Sequence, residues 1–408
     1  MDARAILEEE ARRSFRFFYE EANTDLASPG YGLIRDKTSA KAEDIASIAS
    51  VGFGLSAFVI GVERGWISHE VAFNRVKKTL HSFYHNVEHV NGFFYHFVNM
   101  TTGKRHRDFH DCASIIDTSI FLNGALTAAS YFGGDVENYF QKIYQRVDWS
   151  KYYNQEENVY YMGYHKETGG FGRWDMYAEQ MMQYFLGVAS PTYPVPADIY
   201  QGFERRLMTY KTYTFYNSPG GALFTHQFSH AWFNFKSYLD PDGIDWFKNA
   251  TVASKASRAF SIDQQTNFKT YHKNAWGLTA CEGPNGYIVP GTPPYYDEVK
   301  MTLDGTVPPC GAIGSIVFTP DVVKEAVYYY YHQHPDLFGK YGFFDAYNEE
   351  LSPTWYADMV IGIDKGISLL MIDNYLHGTT WKYYMQHPII NRAVTKLGFQ
   401  KREVRVKS

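Results

Sequence analysis

The run IASIASVGFGLSAFVIGV, residues Ile45 to Val62, is uncharged throughout. Its length is borderline for crossing a bilayer. Three Ser and three Gly within it argue against lipid and for a buried helix whose neighbours approach closely. The predicted helix covers about Ala42 to Arg64. Immediately after it, Gly65-Trp66-Ile67 forms a tight link to a second pattern, Ser68 to about Tyr84, which carries charges at regular intervals and has Ser68 and Glu70 in its first turn. A nearly charge-free helix joined by three residues to an amphipathic one reads as an αα-hairpin with one buried and one outward partner.

The same contrast recurs along the chain. Ser114 to Ala129 and Met359 to Ile372 are almost free of charge, whereas Ala3 to Ala22 and Asp135 to Val147 are amphipathic. Further helical patterns are read at Asp175–Val188, Pro196–Met208, His226–Phe235, Gly243–Ala259, Pro320–His332 and Thr379–Gln386. About a dozen helices result, separated by short segments rich in Gly and aromatic residues. No linker or charge block divides the chain, so residues 1–408 are expected to form a single all-α domain. Paired inner and outer helices suit an (α/α)6 barrel, a toroid of two concentric rings, with a bundle or solenoid as the alternative. A long irregular region, about Ser261 to Val317, is expected to be functional.

Of 408 residues, 18% are Trp, Tyr or Phe, and the net charge is -5. This balance gives no electrostatic footprint for nucleic acid or an anionic membrane. Cys112, Cys281 and Cys310 are widely spaced and form no CxxC pair, which favours a reducing compartment. The first residues, MDARAILEEEARRSFRFF, have no apolar core of a signal peptide, so a cytoplasmic location is expected.

Loops dense in aromatic residues beside carboxylates suit a carbohydrate: sugar C–H faces stack on rings, hydroxyls need polar partners, and glycoside cleavage needs two carboxyl groups in different environments. In Arg173-Trp-Asp-Met-Tyr-Ala-Glu179, Asp175 is read as a helix N-cap and Glu179 as the catalytic carboxyl on the same face. Desolvation by Trp174, Tyr177 and Tyr184 would have to outweigh the helix N-terminus to keep Glu179 protonated. In Arg105-His-Arg-Asp-Phe-His-Asp111, Asp108 and Asp111 either present a base to water or cap the next helix. Asp117 and Asp364 lie within apolar runs, where a bare charge is costly, and are read as site residues or as members of ion pairs with Lys365 or an Arg. His226 and His230 share a helical turn, but HQFSH lacks the Glu of a zinc protease, so no metal is expected and both are read as hydrogen-bonding to sugar hydroxyls or to a buried carboxylate.

Several blocks in order then show a resemblance: SIASVGFGLSAFVIGVERGWIS (47–68), GFFYHFVNMTTGKR (92–105), IIDTSIFLNGALTAASYFGG (115–134), RWDMYAEQMMQYFLGVASPTYPVP (173–196), FTHQFSHAWFNF (224–235), AWGLTACEGPNGY (275–287), YGFFDAYN (341–348) and GIDKGISLLMIDNY (362–375). The sequence is similar to the bacterial glycoamylase-like family, which contains bacterial endo-β-1,2-glucanases and related domains of cyclic β-1,2-glucan synthases. The resemblance implies an (α/α)6 barrel hydrolysing a β-glucan, most of all a β-1,2-linked one, by inversion and without a cofactor. It matches the family's general acid to Glu179, its acidic position before the Ser-x-x-Asp-Thr helix to Asp111, and its Gly-Ile-Asp position to Asp364. The family commonly has Glu at position 111 and Pro at position 367, where this chain has Asp and Ile. In this reading Glu179 protonates the leaving oxygen, Asp111 or Asp108 activates water, and Asp364 and Asp117 orient substrate or acid. Trp174, Tyr177, His226, His230, Trp276, Asp345 and Trp355 line the cleft. The expected partner is an oligo- or polysaccharide, with the protein a monomer or weak oligomer. A transglycosylase or a non-catalytic glucan-binding protein is the alternative.

Overall fold

Residues 45–62 divide into two elements. Ile45–Ser47 is a short strand paired with Phe97–Asn99, and the helix proper is Ile48–Glu63. The structure, a computed structural model, describes residues 1–106 and 112–402. Its α-helices among these residues are α1 (Ala3–Glu20), α2 (Ile48–Glu63), α3 (His69–His85), α4 (Ile115–Phe132), α5 (Gly134–Gln145), α6 (Met181–Val188), α7 (Trp246–Asp263), α8 (Pro309–Ile313), α9 (Pro320–Gln333), α10 (Gly362–Leu376), α11 (Thr379–Met385) and α12 (Pro388–Leu397). The chain is mostly helical, and its strands are short, forming two-stranded pairs and one three-stranded sheet (Ala113–Ser114, Gly163–His165 and Gly169–Phe171) in the connections.

Two kinds of helix alternate. Along α2, α4, α6, α8 and α10 nearly every residue is buried, whereas α1, α3, α5 and α9 bury one face. The buried helices are neighbours: α8 packs on α10, α10 on α2, α2 on α4 and α4 on α6. Glycine makes the tightest of these contacts. A Cβ at Gly124 of α4 would sit 1.9 Å from the carbonyl oxygen of Gly52 in α2, and one at Gly366 of α10 would sit 2.2 Å from the Phe53 ring. The small residues of 45–62 therefore serve helix–helix approach. No described helix is long and apolar enough to cross a membrane.

Sequence periodicity fails in three places. Residues 175–180 form an irregular turn and α6 begins at Met181, because a Met176–Glu204 bridge and the Gln180 side chain take up the local backbone groups. Residues 196–208 contain a 3-10 turn, Ala197–Gln201, and then the strand Leu207–Tyr210 paired with Tyr213–Tyr216. Residues 226–235 are 3-10 turns around Leu223–His226, Ser229–Ala231 and Phe235–Ser237. In each, tertiary hydrogen bonding overrides a helical pattern. The 261–317 region is only partly irregular, since it holds the hairpin Cys281–Gly283/Gly286–Ile288 and α8.

Candidate active site

The starts of the buried helices gather on one side of the molecule. Ser47 caps α2, accepting from Ser50 N at 3.2 Å, and Ser114 caps α4, accepting from Asp117 N at 3.2 Å. The Ser114 hydroxyl donates in return to the Asp117 carboxylate. This reciprocal cap is the reason that an Asp is tolerated at the head of an apolar helix. Gly362, first residue of α10, lies against Ser50, where a Cβ would be 2.0 Å from its Oγ. Ser50, Asp117 and Asp364 thus occupy the same third position of three helices. The N-terminal ends of these helix dipoles give this face a positive potential that favours anions.

Between these helix starts is a cavity of about 250 Å³ whose walls include Asp36, Ser47, His96, Asp117, Tyr287 and Ile363. His96 Nε2 lies 3.4 Å from Asp117 Oδ1, and its ring stacks on Phe97 with centroids 4.1 Å apart. Burial pushes the Asp36 carboxyl up to about 6. The charges of Asp117 and Asp345 act in the same direction, and His96 and Lys37 oppose them.

Glu179 stands in the turn before α6. Ser229 fixes its backbone, donating to the Glu179 carbonyl at 2.7 Å while accepting from Met182 N at 3.2 Å. Gln180 holds the turn from the other side, accepting from Ala178 N at 2.9 Å and donating to Met176 O at 2.6 Å. The Glu179 side chain is only partly accessible, and burial first, then the Asp117 charge, pushes its carboxyl up to about 7. Desolvation therefore outweighs the N-terminal field of α6. Such a group is protonated often enough near neutral pH to act as an acid. Tyr177 lies behind it, buried and stacked on Trp246 at 4.7 Å.

A second carboxyl pair is buried beside the cavity. Asp345 accepts from Glu282 N at 2.6 Å, and Asp345 and Asp364 hydrogen-bond to one another. Two carboxylates in contact require a shared proton. The Glu282 N–H favours charge on Asp345. Burial and the Asp345 charge push Asp364 well up, leaving it the protonated member, and the Cys310 thiol donates to it. Lys365 does not pair with Asp364. Its ammonium turns to Glu10 of α1, at 2.5 Å, and to Phe343 O, at 2.9 Å.

The structure thus brings Glu179, Asp117, Asp345 and Asp364 to one region. Asp108 and Asp111 lie outside the described residues. Other expected cleft residues belong to the core. Trp276 is fully buried and Trp174 nearly so. His226 is buried, with Nε2 3.0 Å from Asn217 Oδ1, and His230 packs between Phe235 and Phe318, with ring centroids 4.5 and 5.1 Å away. Burial lowers both imidazoles to about 3, so they are neutral packing groups rather than sugar-facing ones. Trp355 is half-buried on a hairpin strand opposite Asn348. Among the described residues no group of three His, Cys, Asp or Glu side chains is placed to hold a metal. Asp36, His96 and Tyr287 escape sequence reading because each lies in a connection. The one local signal was the Gly-Pro-Asn-Gly turn that sets up the Tyr287 hairpin.

The fold and site define a helical protein with a carboxylate-lined cleft at the heads of its buried helices. The chain belongs to the glycoamylase-like family: residues 171–388 match the family model described as "Glycoamylase: Putative glucoamylase". It is 29% identical to the exo β-1,2-glucooligosaccharide sophorohydrolase (non-reducing end) of Parabacteroides distasonis over 94% of its length. It spans only about half, 56%, of that protein. Among solved structures it is similar to the endo-β-1,2-glucanase of Chitinophaga pinensis in complex with sophorotriose and glucose, with a TM-score of 0.87, 26% identity, and 98% and 99% of the two chains covered. It is also similar to a β-1,2-glucanase from Parabacteroides distasonis, with a TM-score of 0.86, 25% identity, and 97% of this chain and 60% of that one covered.

Proposed function

We propose that this chain is a glycoside hydrolase acting on β-1,2-glucan or its oligosaccharides, by acid/base catalysis with inversion at the anomeric carbon. The observation that carries the reading is Glu179: a desolvated carboxyl, pushed up to about 7, within reach of the charge of Asp117, which lines the carboxylate-walled cavity. The relatives' named activities on β-1,2-linked glucans supply the substrate class. Glu179 protonates the departing glycosidic oxygen as water adds to the anomeric carbon and gives its proton to a carboxylate. On the family resemblance that base is Asp111 or, failing it, Asp108. Asp117 and the Asp345–Asp364 pair orient substrate and set the field around the acid.

We further infer a single closed (α/α)6 toroid. One contiguous core runs from Ile6 to Phe399, which supports the single domain. The buried helices supply five neighbouring places. The 223–231 segment fits the sixth, between α6 and α8: Ser229 Oγ accepts from Met182 N of α6 at 3.2 Å, and Gln227 donates to Gly311 O of α8 at 2.8 Å.

The test is a panel of linkage-defined β-glucans, with products separated by chromatography and their anomers followed by NMR. Hydrolysis confined to β-1,2 linkages supports the reading. Cyclic or elongated products indicate a transglycosylase, and binding without turnover by the wild-type chain indicates a non-catalytic glucan-binding protein.

A further inference from the structure

Asp36 is half-buried and lines the cavity wall. Asp117 has one oxygen bonded by Ser114 and the other facing His96 at 3.4 Å. Asp345 has the Glu282 N–H, and Asp364 has Asp345 and Cys310. The Asp36 backbone is fully used: its N–H donates to Ile45 O at 3.0 Å, and its carbonyl accepts from Gly362 N, at the head of α10, at 2.7 Å. Its carboxylate, by contrast, accepts no hydrogen bond from any described residue, although it lies in the cavity wall. A half-buried carboxylate that faces a cavity and takes no protein donor has its lone pairs free to accept from a ligand.

Tyr287 lines the same cavity. Tyr287 is 51% exposed, while most tyrosines of this chain are buried or half-buried. It lies within electrostatic reach of Asp364, Asp345 and Asp36. Its exposure is not that of a loose loop. The hairpin that carries it pairs Glu282 with Tyr287, and Glu282 is held twice, by its N–H to Asp345 at 2.6 Å and by its carboxylate to Lys37 at 3.4 Å. Lys37 is the residue after Asp36 and bridges to Ile361, at the head of α10. The hairpin, the Asp36 segment and the start of α10 are therefore one interlocked unit. It presents an open aromatic ring and a donor-free carboxylate to the same space. A pyranose needs that pair: a ring for its C–H face and an acceptor for adjacent hydroxyls.

We propose that Asp36 and Tyr287 form a sugar-binding subsite, in which Asp36 accepts hydroxyl hydrogen bonds of a β-1,2-linked glucosyl unit and Tyr287 stacks on its face. This deepens the glucanase reading and rests on it.

The test uses the Glu179→Gln chain, so that substrate survives, and measures its affinity for β-1,2-linked gluco-oligosaccharides by calorimetry. Adding Asp36→Asn or Tyr287→Ala should weaken binding roughly 10- to 100-fold, the size expected for a charge-assisted hydrogen bond or a stacked ring, whereas Tyr287→Phe should leave it unchanged. In the otherwise wild-type chain, Asp36→Asn should raise KM far more than it lowers kcat. Affinities equal to that of Glu179→Gln alone would overturn the subsite while leaving the glucanase reading intact. So would an Asp36→Asn enzyme with unchanged KM, a collapsed kcat and a lost acidic limb, which would make Asp36 the base. If the wild type neither binds nor cleaves any β-1,2-glucan, the parent reading falls and the subsite falls with it. Tyr287 is exposed, so its substitution stays informative even if Asp36→Asn does not fold.

Discussion

Asp117, at the head of α4, acts on Glu179, in the turn before α6, and its charge adds to burial in holding the proton of that acid. The two residues are 62 positions apart and come within electrostatic reach because α4 packs on α6. Asp117 is itself fixed by Ser114 and faces His96, so the field it exerts is static.

Glu179→Gln should therefore lower kcat by about 10²–10⁴-fold, the usual contribution of a general acid, while oligosaccharide binding survives. The wild-type rate should have a basic limb near pH 7, where Glu179 loses its proton. Steady-state kinetics across pH, with calorimetric binding to the variant, checks both. A basic limb that persists in the residual activity of the variant would assign that limb elsewhere.

The same group makes a stability prediction of fixed sign. Its folded value of about 7 is raised above the ordinary carboxyl value, so its contribution is fully present below the unfolded value and is lost as pH rises through about 7. Glu179→Gln removes that cost. The variant should melt roughly 1–4 °C above the wild type near pH 8.5 and at about the same temperature near pH 4. Scanning calorimetry at the two pH values decides it.

Gly124→Ala should destabilise the chain even though Ala is the better helix former by about 1 kcal/mol. The new Cβ would sit 1.9 Å from the Gly52 carbonyl oxygen, which is backbone and cannot rotate away. Overpacking of this kind costs about 1–3 kcal/mol or more, so a net loss of roughly 1–2 kcal/mol is expected in denaturant unfolding. An unchanged midpoint would mean that α2 and α4 can separate freely.

Lys365→Met leaves Glu10 buried opposite an apolar group and should cost about 3–5 kcal/mol. Adding Glu10→Met should recover only part of this, because Phe343 N donates to Glu10 at 2.7 Å and would be orphaned. The double-mutant cycle, read by urea unfolding, gives the coupling. Activity should fall in both variants, since Phe343 leads into Asp345.

Asp364→Asn should fold with a melting temperature close to that of the wild type, because an amide can replace the protonated carboxyl as donor to Asp345. Asp345→Asn should be markedly less stable: it loses the charge that the Glu282 N–H and the Asp364 proton both serve. Paired thermal melts compare them, and equal losses would contradict the assignment of the shared proton.

The charge-free run of 45–62 identified its own helix, and the small residues in it foretold the close approach that Gly52 and Gly124 make. The alternation of apolar and amphipathic helices was likewise legible, because burial on all sides and burial on one face leave different periodicities. Glu179 was legible as a candidate acid, but its setting was not. A helix was read through 175–180, whereas Gln180 and the Met176–Glu204 bridge hold those residues in a turn. The aromatic loops misled in part. Trp276, His226 and His230 fill the core, since an aromatic beside a glycine looks the same in sequence whether it faces a ligand or a neighbouring helix.

Local pattern alone thus determined most of the helices and the buried runs, and offered Glu179 as a candidate carboxyl, because periodicity and adjacent apolar residues act over a few positions. Which carboxylates share a field was decided only in three dimensions. Asp36, Asp117, Asp345 and Asp364 come from connections and helix heads that lie far apart in the chain, and the proton affinities of Asp36, Asp345 and Asp364 depend on distances that folding sets. The partner of Lys365 was decided in the same way: an ion pair forms with the carboxylate that packing brings within reach, here Glu10, 355 positions away, and not with the Asp next to it in sequence.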